Sequence, residues 1–326
     1  FRSFPIPAGS RFSCQHQPMI DSNMTQEIPA ERLEIFLGDA NSSQATVYVQ
    51  AEKIPGKPGA VLSGHLRGPR SRYSQTLEAT YPLRDAGQGE TLLARALVPD
   101  PCFWRPDSPF LYSVQAEIRD GEELASKQER LIGVRALWSD RQGFYFHGRP
   151  WYPQVIQRDV CSPEDLASEE LAFLRSADVG LLVENPDDSL CRETSEIGVI
   201  LMAILRGEAD EIRGNLNRLA QWPSVTAAII KSGESPIPAA FRSHNLLLGE
   251  MISSDQKPPE PSEWANFLAC RDSLTRATEL SQRFQLPAVA WREPSPSESL
   301  ETSAKALKSW RAELEENALE FAGFIS

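Results

Sequence analysis

Three glutamates lie in or directly after strand-like apolar runs, and their carboxylates are the groups in this sequence best suited to chemistry. Glu234 follows the run VTAAIIKSG, Glu250 lies inside LLLGEM, and Glu293 follows LPAVAWR. Carboxylates held at strand ends can serve as general acids, general bases or nucleophiles. The competing interpretation is that all three are solvated groups, Glu234 and Glu293 at the beginnings of loops and Glu250 at the end of a strand.

Metal and cofactor chemistry has little basis in the sequence. No pair of cysteines has the CxxC spacing, and no cysteine lies near a histidine in a ligand-like cluster, so a structural zinc site is not predicted. Neither a phosphate loop nor a GxGxxG motif is present. We therefore expect no metal and no cofactor. The scattered residues are Cys14, Cys102, Cys161, Cys191 and Cys270, with His16, His65, His147 and His244.

Length and charge narrow the possible partners. The 326 residues are enough for two domains with cores of their own, and the apolar (41%) and charged (24%) fractions are ordinary for a soluble globular protein. The net charge of −12 disfavours nucleic acid as a partner, because phosphate binding requires clustered Lys and Arg. No apolar run approaches the roughly 20 residues of a membrane span. Because the chain begins with Phe1 rather than Met, we expect it to be a fragment, and its compartment stays open.

The first half of the chain has the pattern of an antiparallel β domain. Residues 1–29 lack periodicity and are predicted to be a poorly ordered leader or linker. From about residue 30 to 137, short alternating runs are separated by Gly, Pro, Asn and Asp turns, which predicts about seven strands in a sandwich. One of them, FLYSVQAEI, alternates its two faces and is followed by an Asp-Gly turn typical of a hairpin.

From residue 138 to 326 the pattern changes to buried apolar strands that alternate with helices, which indicates a parallel α/β sheet. About seven strands are expected, the first in YPQVIQRDV and the last in LPAVAWREP. Two long helices are predicted, one over residues 262–284 with Ser262 as its N-cap and one that begins near residue 299. FYFHGRPWY is predicted to form a short aromatic pair of strands around a His-Gly turn.

The segment between these two halves resembles glycoside hydrolase family 2. The segments WRPDSPFLY, GVR and FYFHGRP follow the order and spacing found in that family, where an immunoglobulin-like domain ends and a (β/α)8 barrel begins. The resemblance implies an immunoglobulin-like sandwich followed by a (β/α)8-type barrel, and a jelly-roll domain upstream of residue 1. The matching residues are Trp104, Pro106, Pro109, Leu111, Tyr112, Gly133, Arg135, Phe146, Gly148 and Pro150, with His147 in place of the usual Asn.

A complete barrel of this kind takes about 250 residues. Residues 138–326 provide fewer, so the resemblance implies a shortened barrel. Short loops at the carboxyl ends of the strands would account for the difference, and so would the loss of one βα unit. Since those loops build the active site of such barrels, shortening them removes function first.

The same resemblance places two catalytic glutamates at the ends of the fourth and seventh barrel strands, about 5–5.5 Å apart. Counted without a gap, these positions fall on Gly233 and Arg292, and Glu234 and Glu293 each follow one residue later. One residue along a strand reverses the side to which its side chain points. Both carboxylates are therefore out of register, unless a bulge restores them.

Four further residues are candidates for substrate binding. Trp291 is placed to stack on a sugar ring or to pack in the core. Glu250 is a candidate at a strand end. Asn185 and Asp187 lie where the family has an Asn-x-Val-Arg-x-x-His-x-Pro segment, whose Arg and His are absent here. Asp187 and Asp188 could join Glu184 around a cation, or could simply form a turn.

Two functions follow from the resemblance. The first is a catalytically degenerate protein that serves as a carbohydrate-binding or interaction module. The second is an active retaining hydrolase of β-glycosides, with Glu234 as acid/base and Glu293 as nucleophile. They differ in whether Glu234 and Glu293 face each other across an open pocket, or side chains such as Trp291 and Arg292 fill the barrel mouth.

Overall fold

The computed structural model describes residues 33–54, 59–160, 162–231, 246–252, 260–271, 274–293, 299–316 and 321–326. An antiparallel β domain is followed by a closed barrel of parallel strands, which confirms the predicted order of a β domain and an α/β barrel. The expected leader, residues 1–29, lies outside the described residues.

The β domain contains one curled antiparallel sheet with the strand order β1-β2-β5-β4-β3-β6-β7. The first part of β4 pairs with β3 and its last part pairs with β5, so the sheet curls at β4. The strands are β1 (Leu33–Ala40), β2 (Gln44–Glu52), β3 (Val61–Arg70), β4 (Ala79–Gln88), β5 (Thr91–Pro99), β6 (Leu111–Asp120) and β7 (Glu123–Ile132).

Alternation in the sequence accounts for the way this sheet forms its core. In β2 every second residue is buried and packs with the alternating residues of its neighbours. The predicted hairpin between β6 and β7 is confirmed, and Gly121 in its turn has a φ of 62°. Leu111 and Ser113, on the same face of β6 as the half-buried Gln115 and Glu117, are buried. Leu111 belongs to a cluster that continues into the barrel.

A small three-stranded sheet connects the β domain to the barrel. It consists of β8 (Leu137–Asp140), β9 (Gly143–Phe146) and β10 (Arg149–Trp151), and β9 and β10 are joined by the predicted His-Gly turn. Phe144 packs edge-on against Phe267 at the start of a barrel strand, with 5.2 Å between ring centres. The small sheet therefore covers the amino-terminal end of the barrel.

Eight parallel strands close the barrel, in chain order. They are β11 (Gln154–Gln157), β12 (Gly180–Glu184), β13 (Leu201–Leu205), β14 (Val225–Lys231), β15 (Leu247–Ile252), β16 (Phe267–Arg271), β17 (Ala288–Trp291) and β18 (Gly323–Ile325). The described helices around them are α1 (Ser168–Ala177), α2 (Asp188–Ile197), α3 (Ala209–Leu219), α4 (Leu274–Phe284) and α5 (Leu300–Glu316), with a 3₁₀ turn at Pro163–Asp165. No described helix is both long and apolar enough to cross a membrane.

Two predictions about the barrel were wrong. The helix expected over residues 262–284 is interrupted, because Phe267–Arg271 forms the sixth barrel strand and the helix begins only at Leu274. The last strand was expected in LPAVAWREP, but Gly323–Ile325 forms an eighth strand after the last helix. The barrel thus has all eight strands rather than about seven. FLACR is buried on both faces, and an apolar run without alternation looks the same in a buried strand and a buried helix.

Residues that face into the barrel form a core distinct from the layer between strands and helices. Met202, Ile229 and Trp291 belong to the inner cluster, which continues through the three-stranded sheet to Trp104. Their neighbours in sequence pack outward, toward the helices. The alternation along each strand therefore assigns every strand residue to the barrel interior or to the helix side.

The motifs that carried the family resemblance form the contact between the β domain and the barrel. The indole Nε1 of Trp104 donates to the carbonyl oxygen of Ser195, at 2.8 Å. The buried guanidinium of Arg135 donates to the carbonyl oxygen of Pro223, just before β14. Arg72, after β3, forms ion pairs with Glu193 and Glu196 on α2. Trp104 and Arg135, which belong to the motifs shared with the family, thus lie at the junction of the β domain and the barrel and help to hold the two parts together.

Candidate functional site

The candidate site is the carboxyl-terminal mouth of the barrel, where the last inward-facing residue of each strand lies. The alternation places Gln157 of β11, Glu184 of β12, Lys231 of β14, Arg271 of β16 and Trp291 of β17 at this level. The other three strands end at this level with the apolar residues Ile204 of β13, Met251 of β15 and Ile325 of β18. Four of the eight side chains are therefore polar, and the mouth has a mixed polar and apolar rim over an apolar core.

Trp291 occupies the centre of the mouth. Its side chain belongs to the inner cluster and is only 1% exposed. The indole Nε1 donates to Oε1 of Gln157 at 3.3 Å, and Cζ of Arg271 lies 5.5 Å from the ring centre. With 1% of its surface exposed, this tryptophan fills the barrel instead of offering an open surface to a sugar.

Glu293 lies on the rim, two residues beyond the end of β17. Its side chain is 59% exposed, and its carboxylate forms an ion pair with Arg271. The preceding residue, Arg292, points the other way, with Cζ 4.8 Å from the ring centre of Trp310 on α5. The position counted for the nucleophile is therefore occupied by Arg292, whose side chain is directed toward α5. The carboxylate of Glu293 lies one residue later and is paired with Arg271.

The second counted position lies just past β14. This strand ends at Lys231, and both Gly233 and Glu234 lie outside the described residues. The separation of the Glu234 and Glu293 carboxylates, and the role of each, stay predictions.

Glu250 is placed on the helix side of the barrel wall. It shares the alternation of Leu248 and Ile252, which belong to the outer cluster, and it is 2% exposed. Its Oε2 accepts a hydrogen bond from the backbone N–H of Ser262 at 2.7 Å. This carboxylate therefore anchors the segment that leads into β16, and it does not point into the mouth.

Asn185 and Asp187 shape the connection from β12 to α2. Asn185 is exposed and has a left-handed φ of 45°, which Asn tolerates better than most residues. Asp187 is the N-cap of α2, and its carboxylate accepts the backbone N–H of Leu190 at 2.7 Å. Asp188 forms an ion pair with Arg218 at 2.8 Å. The Pro-Asp-Asp segment is thus a helix start.

Within the described ranges, no group of three or more His, Cys, Asp or Glu side chains is arranged to hold a metal ion. Glu184, the third member of the hypothetical cation site, pairs with Arg206 at 3.3 Å. Since Asp187 caps a helix and Asp188 binds an arginine, the three carboxylates are engaged separately.

Three residues of the mouth were missed by the sequence reasoning: Gln157, Arg206 and Arg271. Each follows or ends an apolar strand run, which is the signal that could have identified it. Arg271 was concealed because its strand was interpreted as part of a helix. Arg206 pairs with Glu184 beside β12 and β13, and Arg271 pairs with Glu293 beside β16 and β17, so the rim carries two ion pairs on opposite sides of the barrel.

Comparison with solved structures supports this architecture. The chain is similar to a β-glucuronidase from Bacteroides uniformis (15% identity, TM-score 0.59, 90% of this chain and 45% of that chain). It also resembles a putative β-galactosidase from Bacteroides fragilis (14%, 0.59, 90% and 54%). A glycosyl hydrolase family 2 member from Bacteroides cellulosilyticus gives 17% identity and a TM-score of 0.63, with 91% of this chain and 43% of that chain covered.

The class that emerges is a glycoside hydrolase-like fold with family 2 members as structural neighbours. The chain spans about half the length of these neighbours. At such low identity the likeness describes the fold. No protein-family model and no curated protein matches the sequence.

Proposed function

We propose that this chain is a carbohydrate-binding module with a glycoside hydrolase-like fold whose catalytic centre has degenerated. The observation that carries the proposal is the filled mouth: Trp291 occupies the position below the reaction centre, and Arg292 replaces the expected carboxylate. A retaining mechanism requires two carboxyl groups about 5–5.5 Å apart on either side of the scissile bond. The enclosed indole leaves little room for a sugar ring at that depth.

The ion pair of Glu293 supports the same conclusion. Its contact with Arg271 occupies one of the carboxylate oxygens. The rim ion pair between Glu184 and Arg206 likewise uses charges that could otherwise orient a substrate. These two ion pairs therefore neutralise charges at the mouth that an active cleft would use to stabilise a transition state.

We also propose that the β domain is an immunoglobulin-like domain. The strand order splits at β4 into β1-β2-β5-β4 and β3-β6-β7, the arrangement of the ABED and CFG sheets of a constant-type immunoglobulin domain. The hydroxyl of Tyr112, near the start of β6, accepts the backbone N–H of Cys102 at 2.9 Å, as in a tyrosine corner. We place this domain at residues 30–137 and the barrel domain at 138–326.

The alternative is an active retaining β-glycosidase, and one observation favours it. Glu293 follows the seventh barrel strand and lies on the mouth side, where the nucleophile of such an enzyme is found. In this case Glu234 would serve as acid/base and Glu293 as nucleophile, and Arg271 would hold the nucleophile ionised.

Hydrolysis assays on the full chain separate the two candidates. We expect no turnover of aryl β-glycosides of glucose, galactose, mannose, xylose and glucuronic acid, and measurable binding of oligosaccharides by calorimetry. Turnover that is abolished by Glu293→Gln, and retained in the matched variant Glu315→Gln, would establish the hydrolase instead. Glu315 is an exposed partner of Arg311 near the end of α5, on the opposite end of the barrel from the mouth, and controls for the substitution itself.

A further inference from the structure

The imidazole of His147 lies between aromatic rings where the β domain meets the small sheet. His147 occupies the turn between β9 and β10. Phe103 and Phe146 contact its ring edge-on, with 4.7 and 4.3 Å between ring centres. Its Nε2–H donates to the carbonyl oxygen of Trp104 at 2.9 Å. The imidazole therefore links the turn to the segment that precedes β6.

Trp104 extends this contact to the barrel. Its backbone N–H donates to the carbonyl oxygen of Val134 at 2.8 Å, and its indole Nε1 donates to that of Ser195 on α2. The backbone N–H of His147 donates to the carbonyl oxygen of Ala136, also at 2.8 Å, in the connection between β7 and β8. The β domain, the small sheet and the barrel thus meet at Trp104, against which the imidazole is held.

The second ring nitrogen of His147 favours the neutral form. Nδ1 is buried and has no hydrogen-bond partner among the described residues. A neutral ring with its proton on Nε2 leaves one acceptor unpaired there, whereas an imidazolium would bury a second N–H donor together with a positive charge. Protonation is therefore unfavourable while the junction is closed.

Neighbouring charges add to this effect. The pKa of His147 is lowered to about 4, mainly by burial. Arg105 and Arg135 contribute to the shift as nearby cations, and Asp107, which pairs with Arg105 at 3.3 Å, opposes it. The other charged residues that line the adjoining groove are Arg149 at the start of β10, Arg175 on α1 and Asp178 at the end of α1.

The groove next to the imidazole gives a protonated ring access to water. It has a volume of about 920 Å³, and His147 and Phe103 belong to its lining. Gly148 and Arg149, which follow His147, are exposed, and Gly148 has a left-handed φ of 77°. Turning the side chain of His147 into this groove hydrates both ring nitrogens and requires movement of the turn, not of the paired strands.

We propose that His147 is an acid-operated latch, which holds the turn between β9 and β10 against Phe103 and Trp104 when neutral, and on protonation moves into the groove and releases the junction. Proton uptake drives the release, because the open junction binds the proton more tightly than the closed one. The proposal concerns a conformational change of the fold and does not depend on the carbohydrate-binding function proposed above.

Hydrogen–deuterium exchange of the full chain, read by mass spectrometry at residues 103–109 and 144–150, measures the opening once it is corrected for the intrinsic exchange rate at each pH. With a His147 pKa of about 4 in the closed state and about 6.5 in the open state, the open fraction rises about fiftyfold between pH 7 and 4.5. Protection at the junction should fall by this factor in the wild type.

Two variants identify the titrating group. His147→Asn should have nearly the same junction protection at both pH values, since asparagine does not titrate and tolerates the left-handed turn. His65→Asn removes a half-buried imidazole from β3, within the β domain, and should keep the wild-type fall. An equal fall in His147→Asn would show that another group drives the opening and would overturn the latch.

Two further measurements on the wild type test the local nature of the change. Equal protection of the junction and of the buried strand β13 at pH 4.5 would mean that the whole chain unfolds as one unit, and the latch would be wrong. Side-chain NMR of His147 should give a titration midpoint well below pH 6.5. A midpoint at 6.5 would mean that the ring is already hydrated in the closed chain and holds nothing in place.

Discussion

His147 is the residue whose environment most clearly controls its charge. It lies in the turn between β9 and β10 with a left-handed φ of 51°. Its Nε2–H donates to the carbonyl oxygen of Trp104 at 2.9 Å, and its buried Nδ1 has no hydrogen-bond partner among the described residues. Burial lowers the pKa of His147 to about 4, and the hydrogen bond to Trp104 opposes that shift only in part. The folded chain therefore holds a neutral imidazole.

We expect His147→Asn to reduce the acid sensitivity of the fold. An unfolded histidine titrates near pH 6.5, so between about pH 6.5 and 4 the unfolded chain binds a proton that the folded chain does not. Stability due to this group is complete above that window and falls by about 3 kcal/mol as the pH drops through it. Asparagine tolerates the left-handed turn and does not titrate.

Urea unfolding of wild type and variant at pH 7 and pH 4.5 measures this difference directly. Carboxylates titrate in both proteins, so the informative quantity is the change in the free energy of unfolding of one relative to the other. Parallel losses of stability on acidification would show that His147 is not the responsible group.

At the level of single residues, part of the site could be predicted from the sequence. Counting along β17 separates Arg292 from Glu293, and the structure indeed places one against Trp310 and the other against Arg271. The enclosure of Trp291 could not be read from the sequence, because its packing depends on Gln157, which is 134 positions away in the chain. Long-range partners of this kind are set by barrel closure.

At the scale of the elements, the strands with alternating faces and most of the buried barrel strands were predictable, and two short buried strands were not. The seven strands of the β domain expose one face, so their period of two is visible in the sequence. β16 and β18 are fully or almost fully buried and short, and they lack that signal. Only closure of the barrel requires them to be strands, since an open gap would leave backbone groups of β15 and β17 unpaired.

The end of α2 gives an element-scale prediction. Gly198 is the C-cap with a φ of 89°, and a Cβ there would approach the carbonyl oxygen of Pro106 to 2.3 Å. We expect Gly198→Ala to lower the free energy of unfolding by about 2–4 kcal/mol, since the strained φ and the overlap with backbone add. Thermal and urea unfolding measure the loss.

Gly214 provides the matched control for this substitution. It lies in the middle of α3, is exposed, and a Cβ there would meet nothing within 4 Å. Gly214→Ala should therefore stabilise the chain by about 0.5–1 kcal/mol through helix propensity. Equal changes in the free energy of unfolding for the two substitutions would mean that the end of α2 does not pack against the loop around Pro106.

At the scale of the whole molecule, the β domain and the barrel share part of one core. The inner cluster runs from the barrel interior through Phe144 and Phe146 to Trp104 and Leu111 of the β domain. Each part also has a cluster of its own, one inside the curled sheet and one under the helices. The molecule thus combines two separate cores with a third that spans the junction.

This arrangement predicts that the two parts unfold together and can be uncoupled. Arg135 is 3% exposed at the junction and donates to the carbonyl oxygen of Pro223. In the wild type we expect a single calorimetric transition, because opening the junction exposes the shared core. Arg135→Ala removes the hydrogen-bond donor to the buried carbonyl oxygen of Pro223, while the separate cores of the β domain and the barrel stay intact. The transition should then move to lower temperature and split into two.

Arg119→Ala serves as the comparison, since Arg119 pairs with Glu117 on the surface of the β domain. An exposed pair contributes about 0–1 kcal/mol, so this variant should keep a single transition close to that of the wild type. Two transitions already in the wild type would contradict the shared core. A single lowered transition in Arg135→Ala would show that the shared core, with Trp104 bound to Ser195, couples the two parts without the arginine.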